Sequence, residues 1–352
     1  MARKILLALL VLVALFVFTG CIGGGGSSPV QQVLAWVTGI VSKFRAEPIQ
    51  GATVTLKETG QSATTNQKGE FRFSTIYRGT GTLRAEAPGY LPLEWPVEIT
   101  DQGASVHLRL VSLSDYSASL FATLTGATDT AGTMRWQNGT VRYYIDRSGP
   151  WRPEFDVWLR EAFTLWSMAA RRAISFAEGD SSAPLRIRAV PGSPCGYASA
   201  AGCGGPTALG PNGEITAAII ELAAPYADQK IVVHEVGHVL SLYGHSPNPE
   251  DVMYPGGTLR PTTPSNTEAA VAAVLYGNPP GTTLPNIAMP QDSIPAVRVA
   301  AAGPLPQATG PQLWPGPSRD GRLGWWEGLM CRFALFAPLC GDWPALKAIG
   351  GL

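Results

Sequence analysis

His234-Glu235-Val236-Gly237-His238, followed by Gly244-His245-Ser246 and then by Asp251-Val252-Met253-Tyr254-Pro255, is the stretch whose reading decides this chain. The chain carries four histidines, and three of them fall within residues 234–245. On an α-helix, residues i and i+4 lie one turn apart on the same face, so His234 and His238 can aim imidazole nitrogens at one metal ion. Glu235 lies about 100° further round the helix, placed to reach a water beside that ion rather than to serve as a third ligand. That is where a general base belongs. Ile231, Val232 and Val233 before the motif, with Val236, Val239 and Leu240 within and after it, supply the apolar face of a buried helix.

His245 needs a separate argument. On an unbroken helix it would lie about 10 Å along the axis from His238, which metal–nitrogen bonds of about 2.0–2.1 Å cannot bridge for zinc. The chain must therefore leave the helix and fold back, and Gly244, free to take positive φ, is the expected exit residue. Three histidines leave one tetrahedral position open, as in catalytic rather than structural zinc sites. The plainer alternative, two solvated histidines on a surface helix, leaves His245 and Met253 unexplained.

These residues resemble the signature of the metzincin metalloendopeptidases, and among them the matrixins: His-Glu-x-x-His-x-x-Gly-x-x-His, then a turn bearing a methionine. The chain departs from it in two places. Ser241 stands where the family has its helix-ending glycine, and one extra residue precedes the third histidine. The expectation is that the helix runs on slightly and Gly244 takes over the turn. The resemblance implies zinc held by His234, His238 and His245, with Glu235 as the base and Met253 as a hydrophobic floor beneath the metal. It further implies a polypeptide substrate, with Tyr254 and Pro255 lining the pocket for the side chain after the cut bond. Only His107 remains for a second, structural zinc, so none is supported, and no Asp-rich loop argues for structural calcium.

The resemblance runs from Trp136 to Gly277. Residues 141–145, 174–177, 185–190 and 215–222 read as strands, and Pro153 opens a helix with Phe155, Trp158, Leu159, Ala162, Phe163, Trp166 and Ala169 at three- and four-residue steps. That aromatic stripe is core packing rather than a cofactor box. Ser265 and Glu268 form a capping box for a last helix ending at Gly277. Fold class is expected to be an all-β sandwich followed by an α+β metzincin-type domain, a twisted mixed sheet with an active-site helix and a Met-turn. Cys195 and Cys203 sit in a Gly-rich loop, where a local disulfide is the default for an extracytoplasmic protein; a thiolate occupying the zinc is the sharper alternative.

Upstream, residues 37–110 alternate through Ala52-x-Val54-x-Leu56, Phe71-x-Phe73, Leu83-x-Ala85-x-Ala87, Val97-x-Ile99 and Val106-x-Leu108-x-Leu110, the pattern of a small β-sandwich. Pro48-Ile49-Gln50-Gly51-Ala52-Thr53-Val54, Thr65-Asn66-Gln67-Lys68-Gly69-Glu70-Phe71 and Ala87-Pro88-Gly89-Tyr90 resemble the carboxypeptidase regulatory-like domain, which implies a noncatalytic module that positions the enzyme or contacts a partner. His107 is expected to face solvent from a strand. The N-terminus, with Arg3-Lys4 and then an apolar run over residues 5–18, reads as a signal peptide. Phe18-Thr19-Gly20-Cys21 resembles a lipobox, implying lipidation at Cys21 and an extracytoplasmic, envelope or cell-surface location; an ordinary cleaved signal is the alternative.

The expected organisation is signal peptide 1–20, tether 21–36, sandwich 37–112, linker 113–134, catalytic domain 135–277, Pro/Gly-rich linker 278–318 and a small element, 319–352, closed by Cys331–Cys340. Formal net charge is +0 and no basic run argues for nucleic acid; oligomeric state is not legible. A surface-anchored zinc endopeptidase is therefore expected. Its rival is a catalytically silent zinc-containing lipoprotein acting as an adhesin or peptide-binding module, and the retained Glu235 favours the enzyme.

Overall fold

The structure, a computed structural model, describes residues 34–255 and 261–290. Cys21, the signal segment and the expected Cys331–Cys340 element lie outside the described residues.

Period-two alternation builds the first unit. Its strands are β1 (Ala35–Ser42), β2 (Thr53–Leu56), β3 (Ser62–Thr64), β4 (Glu70–Thr75), β5 (Gly79–Glu86), β6 (Leu93–Ile99) and β7 (Ala104–Arg109). They form two sheets, ordered β4-β1-β7 and β3-β2-β5-β6, with β1 parallel to β7 and antiparallel to β4. Val37, Val54, Leu56, Leu83 and Leu108 are fully buried between them. His107 departs from expectation: it is half-buried, with Nε2 2.8 Å from Ser42 Oγ. Burial, with Arg109 nearby, pushes its pKa down to about 4.

Residues 113–134, expected as a linker, instead hold a 3-10 turn (Leu113–Asp115) and a helix, α1 (Ala118–Thr125). Ser117 Oγ accepts from the Leu120 N–H, Gly126 closes the helix at φ 68°, and Phe121 and Leu124 are fully buried. The first residues of the expected 278–318 linker also pack back. Gly281 N–H donates to Thr133 O at 2.6 Å, and Asn278 is buried with its Nδ2 bonded to Val274 O and Ala288 O.

The second unit comprises β8 (Gly139–Asp146), α2 (Pro153–Ala169), β9 (Ile174–Glu178), β10 (Leu185–Val190), β11 (Gly202–Leu209), β12 (Ile215–Ala223), α3 (Gln229–Val239) and α4 (Asn266–Gly277). The sheet order is β11-β12-β10-β8-β9, parallel throughout except that β11 runs antiparallel along one edge. The stripe on α2 is core as expected: Phe163 stacks on Phe176 of β9 with centroids 4.2 Å apart and meets Tyr143 of β8 at 4.9 Å. Two buried indoles reach across to α3. Trp166 Nε1 donates to Val233 O and Trp136 Nε1 to Val239 O, both at 2.9 Å, the latter satisfying a carbonyl the helix leaves unpaired at its end. The chain is thus a β-rich, multidomain protein opening on a β-sandwich.

Candidate metal centre

Helix α3 starts on Asp228, whose Oδ1 accepts from the Ile231 N–H at 3.0 Å, and presents His234 and His238 one turn apart. His234 is 3 % exposed, while His245 lies at the surface. The candidate ligand atoms of His234, His238 and His245 all lie within 4.8 Å of one another. His234 Nδ1 is 2.7 Å from Val252 O, and His238 Nδ1 is 2.7 Å from Leu242 O. A carbonyl only accepts, so each of these contacts is made by an Nδ1–H donor, which leaves Nε2 of each ring as the nitrogen available to a metal. Tetrahedral zinc asks for nitrogens about 3.4 Å apart, so a donor set of three imidazoles already gathered this closely fits that ion.

The helix exit corrects the sequence reading. Helix α3 does not run on: it ends at Val239, and the residue with left-handed backbone is Ser241, at φ 84°. Ser241 N–H donates to His238 O and Leu242 N–H to Gly237 O, at 3.0 and 3.1 Å, the bond pair of a Schellman ending. Serine therefore takes the left-handed position that glycine commonly fills at a helix end, helped by its buried Oγ accepting from Tyr243 O–H at 3.0 Å. Gly244 lies outside the left-handed region and is needed for a different reason. A Cβ there would overlap Thr123 O of α1, and its N–H donates to Leu124 O at 3.0 Å. So α1, in the stretch expected to be a linker, sets where His245 stands.

Gly237, between the two helix histidines, is equally constrained. A Cβ would collide with Met253 Sδ and come within 3.1 Å of Trp166, so the helix rests directly on Met253, which is fully buried. The backbone around Met253 is held by Glu268 at the third position of α4. This carboxylate completes the expected capping box with Ser265 and also accepts from the Val252 and Met253 N–H groups at 3.1 and 2.7 Å. Burial, reinforced by the charge of Asp251, pushes the pKa of Glu268 up to about 7. Asp251, 2 % exposed, accepts from Ser246 Oγ at 2.6 Å beside His245. Tyr254 is half-buried and Pro255 exposed at the end of this turn.

Glu235 is 4 % exposed and lies against β11. A Cβ on Gly202 would approach its Oε1 to 2.7 Å, and one on Gly204 would crowd its backbone. The run expected as a Gly-rich loop is thus an edge strand whose glycines admit the helix. Cys195 and Cys203 form the expected disulfide, with Cα atoms 6.1 Å apart, and buried Glu221 accepts from the Cys195 N–H at 2.6 Å and from Arg188.

Against known families, residues 37–111 match the carboxypeptidase regulatory-like domain. That segment is a carboxypeptidase regulatory-like domain. No curated protein matches the chain. Solved structures similar to it include chains of two type II cohesin–X-dockerin complexes from Acetivibrio cellulolyticus, an N-terminal and a C-terminal interface mutant. They are 23 % and 28 % identical to it, cover 22 % and 21 % of this chain, and have TM-scores of 0.20 and 0.18. The chain spans 58 % and 51 % of the length of those two chains.

Proposed function

We propose that this chain is a zinc-dependent endopeptidase of metzincin, matrixin-like type, carried on the cell surface by a lipidated Cys21. The carrying observation is the convergence of His234, His238 and His245 within 4.8 Å, with two of the rings oriented by backbone carbonyls and a buried glutamate on the same helix. A mixed five-stranded sheet with one antiparallel edge, and a methionine packed under the helix, support the same reading. His234, His238 and His245 would hold the ion, whose chemistry when bound is to polarise a carbonyl and make a water more acidic. Glu235 takes the proton from the attacking water and delivers it to the departing amine, a shuttle that one carboxylate can complete. The β11 wall excludes bulk solvent from one side of that carboxylate, and Met253 keeps the floor of the helix apolar.

The test is metal analysis of the purified protein with cleavage of a quenched-peptide library, run with and without a chelator. Expected are about one zinc per chain, chelator-sensitive cleavage, and a Glu235→Gln variant that keeps its zinc but loses at least about a hundredfold in kcat. A wild-type protein without zinc, or a Glu235→Gln variant that cleaves normally, overturns the proposal.

A further inference from the structure

The turn between β1 and β2 lies far upstream of the histidines, yet it ends against the loop that carries Met253. Lys43 N–H donates to Glu47 O at 2.8 Å and Ala46 takes φ 64°, giving a tight turn that presents Phe44 and Arg45. Phe44 is 1 % exposed, among the largest fully buried side chains of the described residues, although it sits at the tip of a turn. Arg45 reaches the second unit at two points. Its Nη2 donates to Glu250 O, and its backbone N–H donates to Asn266 Oδ1 at 3.3 Å.

Those two points bracket the metal-site support. Glu250 immediately precedes Asp251, which holds Ser246 next to His245. Two residues on, Val252 O accepts from His234 Nδ1. Asn266 is the first residue of α4, whose Glu268 accepts from the Val252 and Met253 N–H groups. We infer that the β-sandwich is a structural part of the metal centre, with Arg45 as a positioning residue that pins residue 250 to the start of α4 and so fixes the carbonyl that orients His234. The metal-ligand role of His234 rests on the function proposed above; the mechanical link does not. A hydrogen-bonded ligand tilts when its partner shifts, and loss of such outer contacts typically weakens metal binding about 10–100-fold. Arg45 acts one layer further out, so a smaller effect is expected.

The test uses the full chain with Arg45→Ala, Arg45→Lys and, as control, Arg172→Ala. The Arg172 guanidinium lies 5.3 Å over the Trp95 ring of β6, so its loss also loosens the two units, at a contact separate from that of Arg45 with Glu250 and Asn266. Hydrogen exchange over residues 250–254 is followed in metal-free protein, and zinc affinity by chelator competition. Arg45→Ala should speed exchange there by about tenfold and weaken zinc by roughly threefold to tenfold. Arg45→Lys, which keeps a charged donor but loses the guanidinium fork, should fall between it and wild type, and serves alone if the alanine variant does not fold. Arg172→Ala should match wild type in both. Unchanged exchange in both Arg45 variants, or equal effects from Arg172→Ala, overturns the brace. A wild-type chain that binds no zinc removes the proposed function instead, while the exchange data still decide the brace.

Discussion

Gly244 separates two physical explanations of the same residue. If it were the helix exit with positive φ, alanine would cost about 1 kcal/mol, and asparagine, which tolerates that conformation, would cost less. The structure assigns it a contact role: a Cβ would overlap Thr123 O and lie 2.9 Å from the Thr123 carbonyl carbon, both backbone atoms of α1. Backbone cannot swing aside as a side chain can, so overpacking of about 1–3 kcal/mol is expected. Losing the Gly244 N–H bond to Leu124 O adds roughly 1 kcal/mol. Gly244→Ala should therefore destabilise by about 2–4 kcal/mol, a large part of a typical domain stability, and Gly244→Asn by at least as much. Urea unfolding of both variants measures this, and chelator competition should show weakened zinc binding because His245 is displaced with its neighbour. An asparagine variant clearly more stable than the alanine variant would refute the contact argument.

Glu268 and His107 should give the metal-free protein pH dependences of opposite sign. The folded pKa of Glu268 is raised to about 7 from 4.5, so the fold binds its proton more tightly than the unfolded chain does. That stabilisation is complete below about pH 4.5 and is lost as pH rises through about 7, and Glu268→Gln should remove the slope in thermal unfolding between these limits. His107 is depressed to about 4 from 6.5, so its contribution is present above about pH 6.5 and lost as pH falls toward 4; His107→Gln should flatten that limb. A Glu268→Gln curve parallel to wild type would contradict the buried, charge-coupled carboxylate. The Cys195–Cys203 bridge closes a loop of sequence separation 8, worth about 2.5 kcal/mol by loop-closure entropy. Replacing both cysteines by serine should lower the urea midpoint accordingly, and a reductant should do the same to wild type but not to the double variant.

Strand and helix placement in the second unit was largely legible, because amphipathic periodicity is a local signal. Residues 185–190 were placed to the residue, and α2 opens on Pro153 as expected. What escaped were elements whose stability is not local. Helix α1 spans only Ala118–Thr125, too short to announce itself by period, and it exists by burying Phe121 and Leu124. Strand β11 is rich in glycine, which reads as loop until a helix is seen lying against it. Gly244 drew attention for the right residue and the wrong cause, because a missing Cβ permits both unusual φ and close approach, and sequence alone cannot distinguish them.

By itself the sequence determined the pairing of His234 with His238 and the place of Glu235 beside them, since a single helical turn dictates all three. It also determined the alternating strands of the sandwich. Tertiary structure alone decided where His245 stands, through the backbone of α1. It decided what orients His234, through Val252 and Glu268, and why an arginine some two hundred positions upstream bears on that centre. The division follows from range: periodicity and helix geometry act within a few residues, whereas excluded volume and hydrogen bonds between distant segments exist only once the chain has closed on itself.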